Sequence, residues 1–167
     1  DTIDTLYGLA KASYPIIKPI VKDAAADISD STITSALRES HDVKGGNVDM
    51  IFAGNVAFDA YVEYLRSNNQ RIEQNLELKG GFSGITFVYG KNKAIIINED
   101  FVPDAEMWGI DSSAFELHQK DWSFAEYGDS GVFNLVNGSS NYRALLTNYG
   151  DLICKNPGSC VRIHNIA

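Results

Sequence analysis

Residues 141–166 read NYRALLTNYGDLICKNPGSCVRIHNI. The approach carries Tyr142, Ala144, Leu145, Leu146, Tyr149, Leu152 and Ile153. A turn falls at Asn156-Pro157-Gly158, and the return carries Val161 and Ile163. This pattern predicts a long apolar strand, a turn and a short closing strand. A strand this apolar is expected to be buried on at least one face. It therefore needs partners formed earlier in the chain, and the β segments between Phe115 and Val136 are the expected ones.

The chain has 167 residues, enough for one domain or two small lobes. A chain of this size buries roughly 70% of its unfolded surface and needs no metal or disulfide to hold a core. Apolar residues make up 44% and charged residues 22%, a composition that excludes wholesale disorder. The net charge of −8 disfavours nucleic acid and anionic membrane as direct partners, because both reward clustered Lys and Arg. No apolar run approaches the 18 or so residues of a membrane helix. The first residues, Asp1-Thr2-Ile3-Asp4, have neither the basic nor the apolar region of a signal peptide. Cys154 and Cys160 flank a turn. A small disulfide loop between them stays open, but two cysteines are too few for a disulfide scaffold, so buried free thiols are expected.

Outward from the closing stretch, local chemistry predicts the elements. Pro15 and Pro19 interrupt residues 1–22, which read as an extended or edge segment, and Asp23–Asp27 reads as a polar-alanine link. Ser29, Asp30 and Ser31 offer N-caps for a helix over 31–43, with Ile33, Ala36, Leu37 and Ser40 on one stripe and Gly45-Gly46 ending it. Val48–Phe52 reads as a buried strand. Asn55 is a plausible N-cap for a second helix over 56–67, with Ala57, Ala60, Tyr61, Tyr64 and Leu65 on one face. Residues 70–79 suggest an extended arm leading to a flexible Gly80–Gly84 turn. Ile85–Tyr89 and Lys93–Ile97 flank Gly90-Lys91-Asn92 as a hairpin. Short strands are expected at Met107–Ile110, Phe115–His118, Trp122–Tyr127 and Val132–Val136, with a turn at Asn137-Gly138 before the closing stretch.

Candidate chemistry is sparse. His41, His118 and His164 are not at metal-ligand spacing with one another or with a cysteine. Cys154 and His164 are a conceivable nucleophile and base, but no local signature surrounds Cys154. Gly128-Asp129-Ser130-Gly131 resembles the nucleophile surroundings of some serine proteases, yet no His followed by Asp sits upstream in a credible context. Gly80–Gly84 lacks the lysine and following helix of a phosphate loop. Glu99, Asp100, Asp104 and Glu106 make an acidic cluster around Pro103, better read as a solvated loop than as a calcium site. Trp108, Trp122 and Tyr149 are candidates for a partner interface, although single aromatic residues are more often core. No cofactor or metal is called for.

The closing stretch resembles a known pattern. Tyr149-Gly150-Asp151-Leu152-Ile153-Cys154-Lys155-Asn156-Pro157, followed by Val161-Arg162-Ile163, resembles the C-terminus of the major capsid proteins of tailed bacteriophages and prophages. There a Tyr-Gly-Asn-Leu-Val-Cys-like run leads into an Asn-Pro turn and a final short strand. Tyr14-Pro15-Ile16-Ile17-Lys18-Pro19 is similar to the family's aromatic-proline segment. Gly45-Gly46-Asn47-Val48-Asp49-Met50-Ile51 is similar to its glycine turn and strand, and Phe82–Phe87 to a following strand. Asp151 stands where the family has Asn, and Val48 where it has Pro.

The resemblance implies an α+β capsid-type fold, partial in extent. The N-terminal arm, the extended E-loop and the spine helix of the family find no counterpart in residues 1–13, so a fragment of a longer subunit is expected. It implies an axial-like lobe over 31–110, with 1–30 and 111–167 supplying peripheral-like β segments. It implies a non-enzymatic shell subunit with copies of itself, in hexamers and pentamers, and other virion proteins as partners. Double-stranded DNA would be enclosed without specific binding, in a virion made in a bacterial cytoplasm. Gly80, Gly81, Gly84, Glu99, Asp100, Asp104 and Trp108 are the expected assembly residues, while Tyr149, Gly150, Cys154, Asn156 and Pro157 are structural. The alternatives are a bacterial encapsulating compartment and a secreted β-rich binding or hydrolytic module.

Overall fold

The computed structural model describes residues 5–68, 84–126 and 131–167. By packing, the chain divides into one unit of residues 1–114 with 155–167 and a second of 115–154.

In the first unit, β1 (Thr5–Leu6) and β2 (Leu9–Ala10) form a small hairpin, and a 3-10 turn spans Pro15–Ile17. Then come β3 (Ile20–Ala26), α1 (Asp30–Lys44), β4 (Met50–Ala53) and α2 (Asn55–Ser67). They are followed by β5 (Ile85–Tyr89), β6 (Asn92–Asn98) and β7 (Met107–Ile110).

Each helix follows from its local sequence. Ser29 takes an extended conformation and its Oγ accepts from the Thr32 N–H at 3.3 Å, capping α1. Gly45, at φ +67°, ends α1 in the left-handed conformation that glycine adopts without a Cβ clash. The predicted stripe of Ile33, Ala36, Leu37 and Ser40 is the buried face. At α2 the cap is Gly54, not Asn55. Asn55 is diverted: its side chain accepts from Asn98 Nδ2 at 2.9 Å and donates to Asp100 Oδ1 at 3.3 Å. Tyr61 is buried on α2, donates to Asp30 Oδ1 at 3.1 Å, and meets Phe87 edge-on at 6.4 Å between centroids. Burial and the neighbouring carboxylate push its phenol pKa up.

The closing strand, β14 (Val161–Ile166), enters a six-stranded mixed sheet of order β3-β14-β7-β4-β6-β5. It pairs in parallel with β3 and antiparallel with β7. Parallel pairing with β14 draws residues 23–26 into β3, where a link was expected; register partners override the weak strand preference of Asp and Ala. In β6, Ala94, Ile95, Ile96 and Ile97 are all buried, so both sheet faces are covered there. Gly109 lies in β7 where a Cβ would meet Val48, Val161 and Leu37, which shows α1 packing closely over the sheet.

In the second unit the described residues form three two-stranded antiparallel ladders. β8 (Phe115–Gln119) pairs with β13 (Gly150–Cys154), β9 (Ser123–Phe124) with β12 (Leu146–Thr147), and β10 (Asn134–Leu135) with β11 (Tyr142–Arg143). The turn at Asn137-Gly138 is as expected, with Gly138 at φ +77°. For residues 142–154 the expected partners between Phe115 and Val136 are the observed ones, whereas the return strand β14 pairs with β3 and β7.

Other expectations are corrected. The approach is not one long strand but three short ones. It forms no hairpin with β14, because the 3-10 turn at Pro157–Ser159 leads the chain into a different sheet. Nor is it buried: Tyr142, Leu145, Leu146, Tyr149 and Leu152 are exposed. The strands expected at 122–127 and 132–136 shrink to two paired residues each among the described residues. Cys154 and Cys160 are half-buried, where buried thiols were expected.

Candidate assembly surfaces

The acidic loop joins β6 to β7. The Glu99 N–H reaches the Ala53 carbonyl at 2.9 Å, and the Gly54 N–H reaches that of Glu106 at 3.0 Å. The Asp104 carbonyl accepts from the Ala57 N–H at 2.8 Å, inside the first turn of α2. The loop is thus strapped to the start of α2 by backbone bonds. Gly54 permits this: a Cβ there would lie 2.2 Å from the Pro103 carbonyl oxygen.

The acidic residues have unequal roles. Arg162, on β14, donates to Glu106 from Nε at 2.8 Å and from a terminal nitrogen at 2.5 Å. Trp108 Nε1 donates to the same carboxylate at 2.8 Å. These bonds, Arg162 first, hold the Glu106 carboxyl below its ordinary range against the opposing effect of partial burial. Glu106, Arg162 and the indole N–H of Trp108 thus form one hydrogen-bonded cluster, in which the expected interface residue Trp108 is 38% exposed. Glu99, Asp100 and Asp104 stay at the surface, and among the described residues no basic group lies within ion-pairing distance of them. Phe101 stands among them, 92% exposed.

Sequence reasoning passed over Phe101. The signal was an aromatic residue inside an Asn-Glu-Asp-Phe-Val-Pro loop, too polar and too short to bury it. Gly84 is a buried close-packing position, where a Cβ would fall 2.6 Å from Ile95 and from the Ile96 carbonyl. Gly80 and Gly81, and the Gly128–Ser130 part of the protease-like word, lie outside the described residues.

The 115–154 ribbon is the second surface. Not one of its described residues is buried. Its registers set apolar side chains opposite each other: Leu117 with Leu152, Phe124 with Leu146, and Leu135 with Tyr142. All six are exposed. Trp122 and Tyr149 add exposed rings beside them.

The closing motif divides between the units. Tyr149, Gly150 and Cys154 lie in the ribbon, Asn156 and Pro157 in the first unit. Asn156 Nδ2 donates to the Lys44 carbonyl at 3.3 Å, and Ser40 Oγ donates to that of Ser159 at 2.6 Å. The turn is thus tied to the end of α1.

Each histidine has its own local surroundings. His41 Nδ1 lies 3.0 Å from the Gly46 carbonyl, His118 stands beside Glu116 at 3.3 Å, and His164 is on β14. Among the described residues no group of three or more His, Cys, Asp or Glu is placed to hold a metal ion. No helix in the described residues is long and apolar enough to cross a membrane.

Comparison with known proteins identifies the architecture. No family model and no curated protein matches the chain. Solved structures do. A chain of the cyanophage A-1(L) capsid asymmetric unit matches with a TM-score of 0.60 and 14% identity, over 98% of this chain and 54% of that one. A chain of the holo-SrpI encapsulin complex from Synechococcus elongatus PCC 7942 matches with a TM-score of 0.54 and 13% identity, over 87% of this chain and 52% of that one. The chain spans about half the length of each. Its fold is the α+β fold of these shell proteins, in part, as the resemblance implied.

Proposed function

We propose that this chain is part of the subunit of an icosahedral shell, the major capsid protein of a tailed phage, and that its role is structural rather than catalytic. In this reading residues 31–110 form most of the lobe nearest the symmetry axes, and 1–30 and 111–167 contribute peripheral β segments. Copies associate in hexamers and pentamers and meet other virion proteins. The shell is assembled in a bacterial cytoplasm and encloses double-stranded DNA without specific binding. A net charge of −8 suits a container, because a basic lining would hold DNA tightly and resist dense packing.

The observation that carries the proposal is the ribbon, 115–154. A two-stranded hairpin is marginally stable alone, and exposed apolar patches of this kind mark interaction surfaces. An apolar pair on each ladder calls for cover from other protein, which shell assembly supplies. The capsid and encapsulin likenesses support the same reading at the level of fold.

The test is negative-stain microscopy and intact mass on the full-length native product, with nuclease digestion of purified particles. Regular shells holding nuclease-protected DNA are expected. Shells holding protein cargo without DNA would move the assignment to an encapsulating compartment. A strictly monomeric product would overturn it.

A further inference from the structure

The first unit carries a knob and a cleft at opposite ends of one strand. The knob is Phe101, flanked by Glu99, Asp100 and Asp104, just beyond the C-terminal end of β6. The cleft lies at the other end, where the β5–β6 turn meets α1. It encloses about 510 Å³, with Arg38, His41 and Asp42 on the helix side and Gly90 and Lys91 on the turn. Tyr89 lines it from within the core, its hydroxyl donating to the Val48 carbonyl at 2.8 Å. The seven residues of β6 separate the two features by roughly 20 Å, at about 3.3 Å per residue.

Their chemistry is complementary. The knob offers three carboxylates around a solvated phenyl ring. The cleft offers two cations, Arg38 and Lys91, against one carboxylate, Asp42. Among the described residues neither cation lies within ion-pairing distance of an acid. An aromatic ring between cations gains cation–π attraction as well as apolar burial. Paired with the surrounding acids, it has the make-up of an interface anchor. Complementary surfaces at opposite ends of one strand let the knob of each copy enter the cleft of a different neighbour. They join copies head to tail, in rings or open chains.

We propose that the Phe101 knob of one subunit seats in the Arg38–Lys91 cleft of the next, making a head-to-tail contact between copies of this chain. The contact rests on the shell-subunit reading above and names residues for its self-association.

Charge reversal in the full-length, assembling protein tests it. Arg38→Glu with Lys91→Glu, and separately Glu99→Lys with Asp100→Lys, are each expected to cut the yield of sedimenting rings and shells about tenfold or more by setting like charges together. The chain bearing all four substitutions is expected to recover most of that yield. Phe101→Ala, at a position too exposed to affect folding, is expected to lower the yield with an unchanged circular dichroism spectrum, and it decides the matter where a reversal impairs folding. Normal assembly of Phe101→Ala and of both reversals would overturn the contact while leaving the shell reading intact. Failure of the folded four-substitution chain to recover would overturn the pairing. A wild-type chain that forms neither rings nor shells would overturn both readings.

Discussion

Among single residues, Glu106 shows how an acidic cluster divides between structure and surface. Its carboxylate receives Arg162 and Trp108 together, whereas Glu99, Asp100 and Asp104 face solvent. A carboxyl whose folded pKa is lowered adds stability above its unfolded pKa, about 4.3 for glutamate. That contribution is lost as pH falls through the lower folded value. Glu106→Gln is therefore expected to cost about 1–2 kcal/mol at pH 7, discounted because Arg162 is partly exposed. The difference from wild type should shrink below about pH 4. Urea denaturation of both proteins at neutral and acid pH measures this, and a pH-independent difference would assign the effect to packing instead.

Among elements, the junction of β4, α2 and the acidic loop depends on one missing side chain. Gly54 serves as the N-cap of α2 while the Pro103 carbonyl and Asp104 Cα crowd the space a Cβ would take. Three backbone bonds, from Gly54, Ala57 and Glu99, depend on this approach. Gly54→Ala should push the loop off α2 and destabilise the chain by about 2–4 kcal/mol, at the upper end of overpacking costs. Thermal unfolding checks the size of the effect. Because the same movement carries Phe101 away from its position, ring yield should fall with it.

For the whole molecule, the contrast lies between a unit with a buried core and a ribbon without one. Strands β4 and β6 are buried among core residues, and their amides should exchange slowly in subunit and shell alike. The ribbon amides should exchange rapidly in dissociated subunits and gain at least about a hundredfold protection on assembly, read by hydrogen exchange and mass spectrometry. Leu152→Lys should leave subunit stability within about 0.5 kcal/mol, since the side chain is already exposed. It should nonetheless reduce assembly, by placing a charge opposite Leu117 where cover is needed. Equal assembly by Leu152→Lys would remove the ribbon from the list of contact surfaces.

Local chemistry alone determined much of this protein. The Ser29 cap, the Ile33–Leu37 stripe, Gly45 and the turns at Gly90-Lys91 and Asn137-Gly138 are all set by short-range periodicity and turn preference. These act on neighbours in sequence and are legible there. The order of short motifs in the closing stretch likewise pointed to the capsid-type fold. Tertiary structure decided what depends on distant neighbours. β3 lengthened because β14 lay beside it, and Asn55 lost its cap because Asn98 and Asp100 reached it first. Arg162 selected Glu106 out of four acids. The apolar residues of 141–153 gave no sign of their exposure, because hydropathy records an appetite for burial and not whether this chain satisfies it. Residues 141–166 remain the stretch that points to the fold. Only the folded chain shows that Val161–Ile166 completes a core sheet, while the residues before it form a ribbon whose apolar side chains are exposed.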